Sequence, residues 1–296
     1  MRLVLVDGNY YTFRSFYALP SLATRSGEPT NALYGLTMVL RRLLSDLKPE
    51  LGAVVFDGGL PAERLALRAD YKANRPEMPS ALKSQLPWIK KLVKALGLCP
   101  IEVEGQEADD VIASYTKKAV EKGIDVVLAT NDKDLMSLVG EHVRVYTVEK
   151  KKFKLLGQRE IEEKWSVKPS QIPDVLALIG DSVDNIPGVE GIGKKTATKW
   201  IIKYGSLSSL LQARDIPDRR FAKLLEENKE RIMINWKMLE LKDNIELPLP
   251  IEELRIVPDY EAQEKLFEKF EFKKLAQEVR KLSGTKEKEN TGGLFE

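Results

Sequence analysis

The sequence predicts an α/β fold, a mostly parallel central sheet with flanking helices, followed by an all-helical subdomain. Three observations carry this. Short apolar runs alternate with helical patterns over the first half of the chain. Three of those runs end in aspartate or lead directly to it. From about Pro169, helical patterns succeed one another with no strong strand between them.

The first run, Leu3 to Val6, ends in Asp7, and Ala53 to Phe56 ends in Asp57. Asp125 to Ala129 is a third strand, followed by Thr130, Asn131 and Asp132, and Val143 to Tyr146 is a fourth. Between them, Ala32–Leu47 (after a Thr30/Asn31 cap candidate), Gln85–Leu96 and Ala108–Glu121 have helical apolar spacing. Strands separated by helices imply right-handed crossovers and parallel pairing. Helical patterns follow at Ile172–Ile179, Lys195–Tyr204, Leu207–Gln212, Arg219–Asn228 and Glu230–Lys242. These patterns divide the chain into an α/β domain over 1–170, a helical subdomain over 171–282 and a polar, flexible tail over 283–296.

Composition excludes several kinds of chemistry. The chain has 296 residues and is 43% hydrophobic, enough for a real core. No apolar run reaches the roughly 18 residues that span a bilayer. The opening apolar run is too short for a signal peptide and reads as a buried strand of a cytoplasmic protein. One cysteine, Cys99, and one histidine, His142, exclude an intramolecular disulfide and a Cys/His zinc cage. Both read as structural, so chemistry must rest on carboxylates, Lys, Arg, Tyr and Ser/Thr.

In open α/β sheets, ligands bind beyond the carboxyl ends of the strands. A single aspartate there is often only a helix cap. Three at one edge cost free energy unless a cation neutralises them. Glu107, Asp109 and Asp110 open a helix, where acidic residues also complement the dipole, but Glu107 and Asp110 lie three apart and share a face. Asp132 and Asp134 follow the third strand, and Asp181 and Asp184 stand where the helical region begins. Nine carboxylates without His or Cys ligands fit hard cations, Mg²⁺ or Mn²⁺. The surplus suggests two ions, an arrangement suited to phosphodiester hydrolysis. With these nine set aside, the formal charge of +2 becomes about +11, a polyanion-binding balance.

Two basic elements fit a phosphate backbone. Residues 63–94 carry Arg64, Arg68, Lys72, Arg75, Lys83, Lys90, Lys91 and Lys94, a run that a solvated helix face also explains. Within it, Tyr71, Lys72 and Arg75 place an aromatic ring beside two cations, suited to an unpaired base and a scissile phosphate. The second element, Gly188-Val-Glu-Gly191-Ile-Gly193-Lys194-Lys195-Thr196, fails the P-loop pattern because Lys195 follows Lys194 and no strand precedes it. A Gly-rich turn opening a basic helix fits a helix–hairpin–helix-type clamp that grips phosphate without reading bases. An ordinary packing joint between two helices is the alternative.

In this order, these elements resemble the 5′-nuclease domain of bacterial DNA polymerase I and, more broadly, the flap endonucleases. The resemblance runs from Leu3 to about residue 280. It rests most on Val55-Phe-Asp57, Tyr71-Lys-Ala-Asn-Arg75, Glu107-Ala-Asp-Asp110, Asp132-Lys-Asp134-Leu and Gly180 to Thr196. It implies a PIN-like 5′-nuclease fold acting on branched, nicked or 5′-flap DNA, including RNA-primed ends, in replication and repair. One metal would lie near Asp7, Asp57, Glu107 and Asp109, and a second near Asp132, Asp134 and Asp184, with Asp110 and Asp181 acting through water. The resemblance also implies an arch at about 70–96, Lys72 and Arg75 at its base, and its helix over 76–96. Gly188, Gly191, Gly193, Lys194, Lys195 and Thr196 would grip duplex DNA, with a K⁺ ion on backbone carbonyls, and Arg64 would lie near the DNA. Two departures stand out: there is no polymerase region, which implies a free-standing monomer working beside a separate DNA polymerase, and Ser182-Val183 stands where some relatives carry an acid.

Two other classes fit less well. A haloacid-dehalogenase-like phosphatase needs Asp-x-Asp after the first strand, and here the sequence is Asp7-Gly8-Asn9. A non-catalytic DNA-structure-binding protein would keep the glycine clamp but has no use for nine acids. At the end of the chain, Leu294 and Phe295 form a pair of the kind found in sliding-clamp-binding peptides, with an inert tail as the alternative. Deleting residues 290–296 should abolish binding to a sliding clamp in a pull-down, and undiminished binding would assign the pair no such role.

Overall fold

Three short strands pair in parallel in one of the chain's two units: β1 (Arg2–Asp7), β2 (Leu51–Phe56) and β3 (Cys99–Glu102). The computed structural model describes residues 1–149 and 152–291. This first unit takes in Met1–Phe56, Met78–Glu102 and the chain from Pro248 on. β2 lies between its partners, in register Leu3↔Leu51 and Ala53↔Cys99, and all six of its residues are buried. A strand covered on both faces needs the continuous apolar run seen there.

Helix α1 (Gly8–Ala18) starts where β1 stops, because the Asp7 carboxylate accepts the Tyr10 N–H at 2.9 Å and caps it. Helix α2 (Asn31–Leu47) buries Leu33, Leu36, Leu40, Leu43 and Leu47, one stripe at helical spacing. It ends at Lys48, which adopts the left-handed conformation. After short α4 (Ser80–Lys83), α5 (Leu86–Ala95) buries Ile89, Leu92 and Val93. It packs on α2 and on α13 (Tyr260–Lys269), which is followed by α14 (Lys273–Thr291).

The second unit comprises Asp57–Glu77 and Val103–Leu247. Short α3 (Ala62–Leu67) precedes α6 (Ala108–Glu121). β4 (Asp125–Ala129) pairs in parallel with β5 (Val143–Glu149), and β6 (Lys152–Leu156) runs antiparallel to β5. Then come α7 (Gln158–Trp165), α8 (Ile172–Ile179), the two-residue strands β7 (Gly180–Asp181) and β8 (Ile186–Pro187), α9 (Lys194–Tyr204), α10 (Leu207–Gln212), α11 (Arg219–Glu227) and α12 (Lys229–Leu239). Among the described residues, no helix is long and apolar enough to cross a membrane.

Three expectations are revised. The segment around α5 does not form the helix of an arch. Its apolar face is buried among α2, α13 and β3, so the arch reading of 76–96 gives way to a core helix. The helices after residue 247 belong to the first unit and not to the helical subdomain placed at 171–282. Residues 283–291 continue α14 instead of beginning a tail, as the strong helix formers Lys and Glu allow. Leu294 and Phe295 lie outside the described residues.

If α5 is a core helix, Leu92→Ala should lower unfolding free energy by about 2–5 kcal/mol in urea titration. A helix standing clear in solvent would lose almost nothing.

Candidate metal centre and nucleic-acid interface

Eight of the nine predicted carboxylates fall in the second unit, and the fold brings most of them together. Asp57, just past β2, accepts the Ala108 N–H at 2.8 Å, so it caps α6 from a distance of 51 residues. That cap aims the first turn of α6, with Glu107, Asp109 and Asp110, at the same place. Burial, opposed by the Ala108 N–H, pushes the Asp57 carboxyl up.

After β4, the Asp132 carboxylate accepts the Asp134 N–H at 2.9 Å and sets the turn that follows. Oxygens of Asp134, Asp181 and Asp184 lie within 4.8 Å of one another, and those of Asp109 and Asp132 lie equally close. Burial first, then the neighbouring Asp132 charge, holds the Asp134 carboxyl well above the usual range. Burial also raises Asp132. Asp134 Oδ1 is buried without a hydrogen-bond partner. An orphaned carboxylate oxygen among like charges is what a hard cation would satisfy, so the residues present fit Mg²⁺ or Mn²⁺.

Cations already penetrate the cluster. Lys72 has a left-handed backbone (φ 55°), and its N–H donates to the Asp184 carbonyl at 3.2 Å. Its ammonium contacts the Glu107 carboxylate and lies 3.6 Å from Asp184 Oδ2. Arg75 Nη2 reaches Asp184 Oδ1 at 2.7 Å while nearly half its side chain remains exposed. Lys133 Nζ lies 2.5 Å from Asp181 Oδ2. Burial would lower the Lys72 and Arg75 pKa values, but the carboxylates around them, Asp184 foremost, hold both above their ordinary values.

Three predicted roles are redirected. Tyr71 is buried, and its hydroxyl donates to the Glu107 carboxylate at 3.2 Å, so its ring is not presented for base stacking. Arg64 is buried too, and does not lie on an outer face for DNA. Its guanidinium grips Asp110 bidentately at 2.8 and 2.9 Å and also contacts Glu107. Asp110 is wholly buried and accepts the Lys242 N–H at 2.9 Å as well, so its lone pairs are spent inside the protein. Arg64 and Lys133 are thus charge partners whose roles no motif announced. Lys133 stands in Asp132-Lys-Asp134, where the spacing alone could have raised it.

Asp7 caps α1 in the first unit. Cys99 Sγ contacts the Glu253 carbonyl at 3.7 Å and His142 Nδ1 pairs with Asp125 at 3.1 Å, structural contacts in both cases.

The predicted glycine clamp lies between α8 and α9. Gly188 packs against the end of α8 so closely that a Cβ would stand 2.1 Å from the Ile179 carbonyl oxygen. Gly191 has φ +88°, and Gly193 caps α9 with open space around it. The α9 N-terminus and exposed Lys195 are therefore accessible, with Thr196 half-buried beside them. Lys194 turns aside, its ammonium 4.2 Å from the Trp165 ring centroid, and burial lowers its pKa.

Residues 2–166 match the family described as 5′-3′ exonuclease, N-terminal resolvase-like domain, and residues 167–263 match 5′-3′ exonuclease, C-terminal SAM fold. The chain belongs to the 5′-3′ exonuclease family. It is a metal-dependent nuclease with a mostly parallel, PIN-like resolvase fold and a helical SAM-like region. A 5′-3′ exonuclease of Aquifex aeolicus is 38% identical over 95% of this chain and 96% of its own length. DNA polymerase I of Pseudomonas aeruginosa is 40% identical over 92% of this chain, which spans 30% of that relative. In fold, the chain matches a bacteriophage T5 flap endonuclease variant, crystallised as a pseudo-enzyme-product complex with DNA and metal ions. The TM-score is 0.66 at 21% identity, over 96% of this chain and all of that one.

Asp134 gives a prediction of sign. Its folded-state pKa lies above the unfolded value near 3.8. The stabilising proton is therefore fully present below that value and is lost as pH rises through the raised one. In metal-free buffer, Asp134→Asn should melt above the wild type at pH 8, and the gain should vanish towards pH 4. Added Mn²⁺ should raise the wild-type melting temperature and leave the variant nearly unmoved.

Proposed function

We propose that this chain is a structure-specific 5′ nuclease that hydrolyses phosphodiester bonds near 5′ ends of flapped, nicked or branched DNA, giving a 5′-phosphate and a 3′-hydroxyl. The observation that carries this reading is the buried acidic cluster of Asp134, Asp181 and Asp184, with Asp134 Oδ1 unsatisfied and Lys72 and Arg75 beside it.

Asp57, Glu107, Asp109, Asp132, Asp134, Asp181 and Asp184 would hold two hard cations. Asp7 joins this set through its motif in the family resemblance. When bound, the ions supply an activated water and stabilise the leaving oxygen. The chain's own residues do the rest. Arg75 offers the exposed guanidinium that meets a phosphate oxygen, and Lys72 places a second positive charge behind it. Tyr71 donates to Glu107 and fixes its carboxylate. The α9 N-terminus and Lys195 hold a backbone phosphate away from the reacting bond, and K⁺ on the carbonyls of the Gly188–Thr196 turn belongs to the same reading. The protein acts as a monomer in the cytoplasm, on primer or repair flaps.

Labelled flap, nicked and single-stranded substrates, with and without Mg²⁺, test this. Flap cutting should require the metal. Arg75→Ala should lower kcat roughly 100-fold or more, in the range expected for losing one group that stabilises transition-state charge. Asp57→Ala should abolish cutting while flap binding in chelator persists. Cutting by Asp57→Ala at the wild-type rate would remove the proposal.

A further inference from the structure

The first unit carries a cavity of about 790 Å³, built by α5, the loop into β3, the chain before α13 and α13 itself. Its floor is apolar, with Leu98, Leu249, Val257 and Leu266 among the lining side chains. Leu98 and Leu266 are buried beneath it, and Val257, 72% exposed, stands at its mouth, so an apolar hollow opens through a polar rim. The mouth is fixed by backbone packing. Gly97 has φ +87°, and a Cβ there would stand 2.6 Å from the Val257 carbonyl carbon, so the two loops are locked together.

The rim is one-sided in charge. Lys91, Lys94, Lys265 and Lys269 line it against one carboxylate, Asp259, whose Oδ1 is occupied in capping α13 through the Ala262 N–H. Lys91 and Lys269 both place their ammonium groups over the Trp88 ring, 4.3 and 4.6 Å from its centroid. Two like charges on one ring leave a repulsion that an anion would relieve. Lys265 pairs with Glu261 on its own helix and Lys269 lies 3.9 Å from Glu28. Lys91 and Lys94 make no ion pair among the described residues.

We propose that this cavity docks an acidic peptide segment of a partner protein, one carrying a large apolar or aromatic side chain. That side chain fills the apolar floor, and the flanking carboxylates meet Lys91, Lys94 and Lys269. Nucleic acid fits less well. The floor offers aliphatic surface without a free aromatic face, since the Trp88 ring carries two lysines and an edge contact from Phe270 at 5.2 Å.

The test uses the full chain and a fluorescein-labelled peptide, Asp-Glu-Asp-Leu-Glu-Phe, in a polarisation titration. Micromolar binding is expected, weakened at least tenfold by Val257→Glu and by Lys94→Glu with Lys269→Glu, and equally by replacing the peptide's Phe with Ala. Val257 and both lysines are exposed, so the melting temperature and flap cleavage of these variants should match the wild type. Failure of the peptide to bind, or binding that survives Val257→Glu, overturns the proposal. So does displacement by an oligothymidylate at equal concentration, which would make the site a nucleic-acid groove. A Val257→Glu-sensitive dimer in sedimentation that excludes the peptide would make it a self-association face, and would overturn the proposal too.

Discussion

The second unit is organised around a problem of charge. Glu107, Asp110, Asp181 and Asp184 are each less than a tenth exposed, and Asp57, Asp132 and Asp134 are only a little more open. Each ionised carboxylate withdrawn from water costs several kcal/mol unless something compensates. The chain answers in two ways. Glu107 and Asp110 are matched inside the protein by Arg64, with Lys72 and the Tyr71 hydroxyl adding to Glu107. Asp134 receives no such partner at Oδ1, and burial together with the Asp132 charge holds its proton tightly. The difference separates carboxylates matched by cations inside the protein from one whose oxygen is left unmatched.

Much of this could be read from the residues. Asp57 and Asp132 were recognisable because a short aliphatic run ending in an acid, in a strand-and-helix alternation, can place the acid at only one edge of a parallel sheet. The limits of α6 match the expected Ala108–Glu121, since its apolar spacing and acidic first turn agree. The turn at Gly188 was legible because Gly recurs where backbone must approach backbone, and the Ile179 carbonyl is that neighbour.

What escaped was pairing at long range. Arg64 meets carboxylates 43 and 46 residues away, and nothing in a basic run says which cation will be drawn inside. Tyr71 read as a stacking ring because aromatic and cationic residues stood together, but burial turned its hydroxyl to Glu107. The arch over 76–96 was implied by the family resemblance alone, and the core stripe of α5, Ile89, Leu92 and Val93, has the same helical period in either setting. Strand β3 was too short to show strand alternation, and α1 was hidden by starting directly on the aspartate that closes β1.

Arg64 also has a mechanical side. Besides its two acids, it donates from Nε to the Met238 carbonyl at 3.1 Å and from Nη2 to the Glu240 carbonyl at 3.0 Å. One rigid planar group therefore rivets the last turn of α12 and the residues after it to the start of α6. Sliding that stretch by an ångström must either snap a charge-assisted bond or drag the Glu107 and Asp110 carboxylates along. Strain applied to α12 is thereby geared to the spacing of the acids.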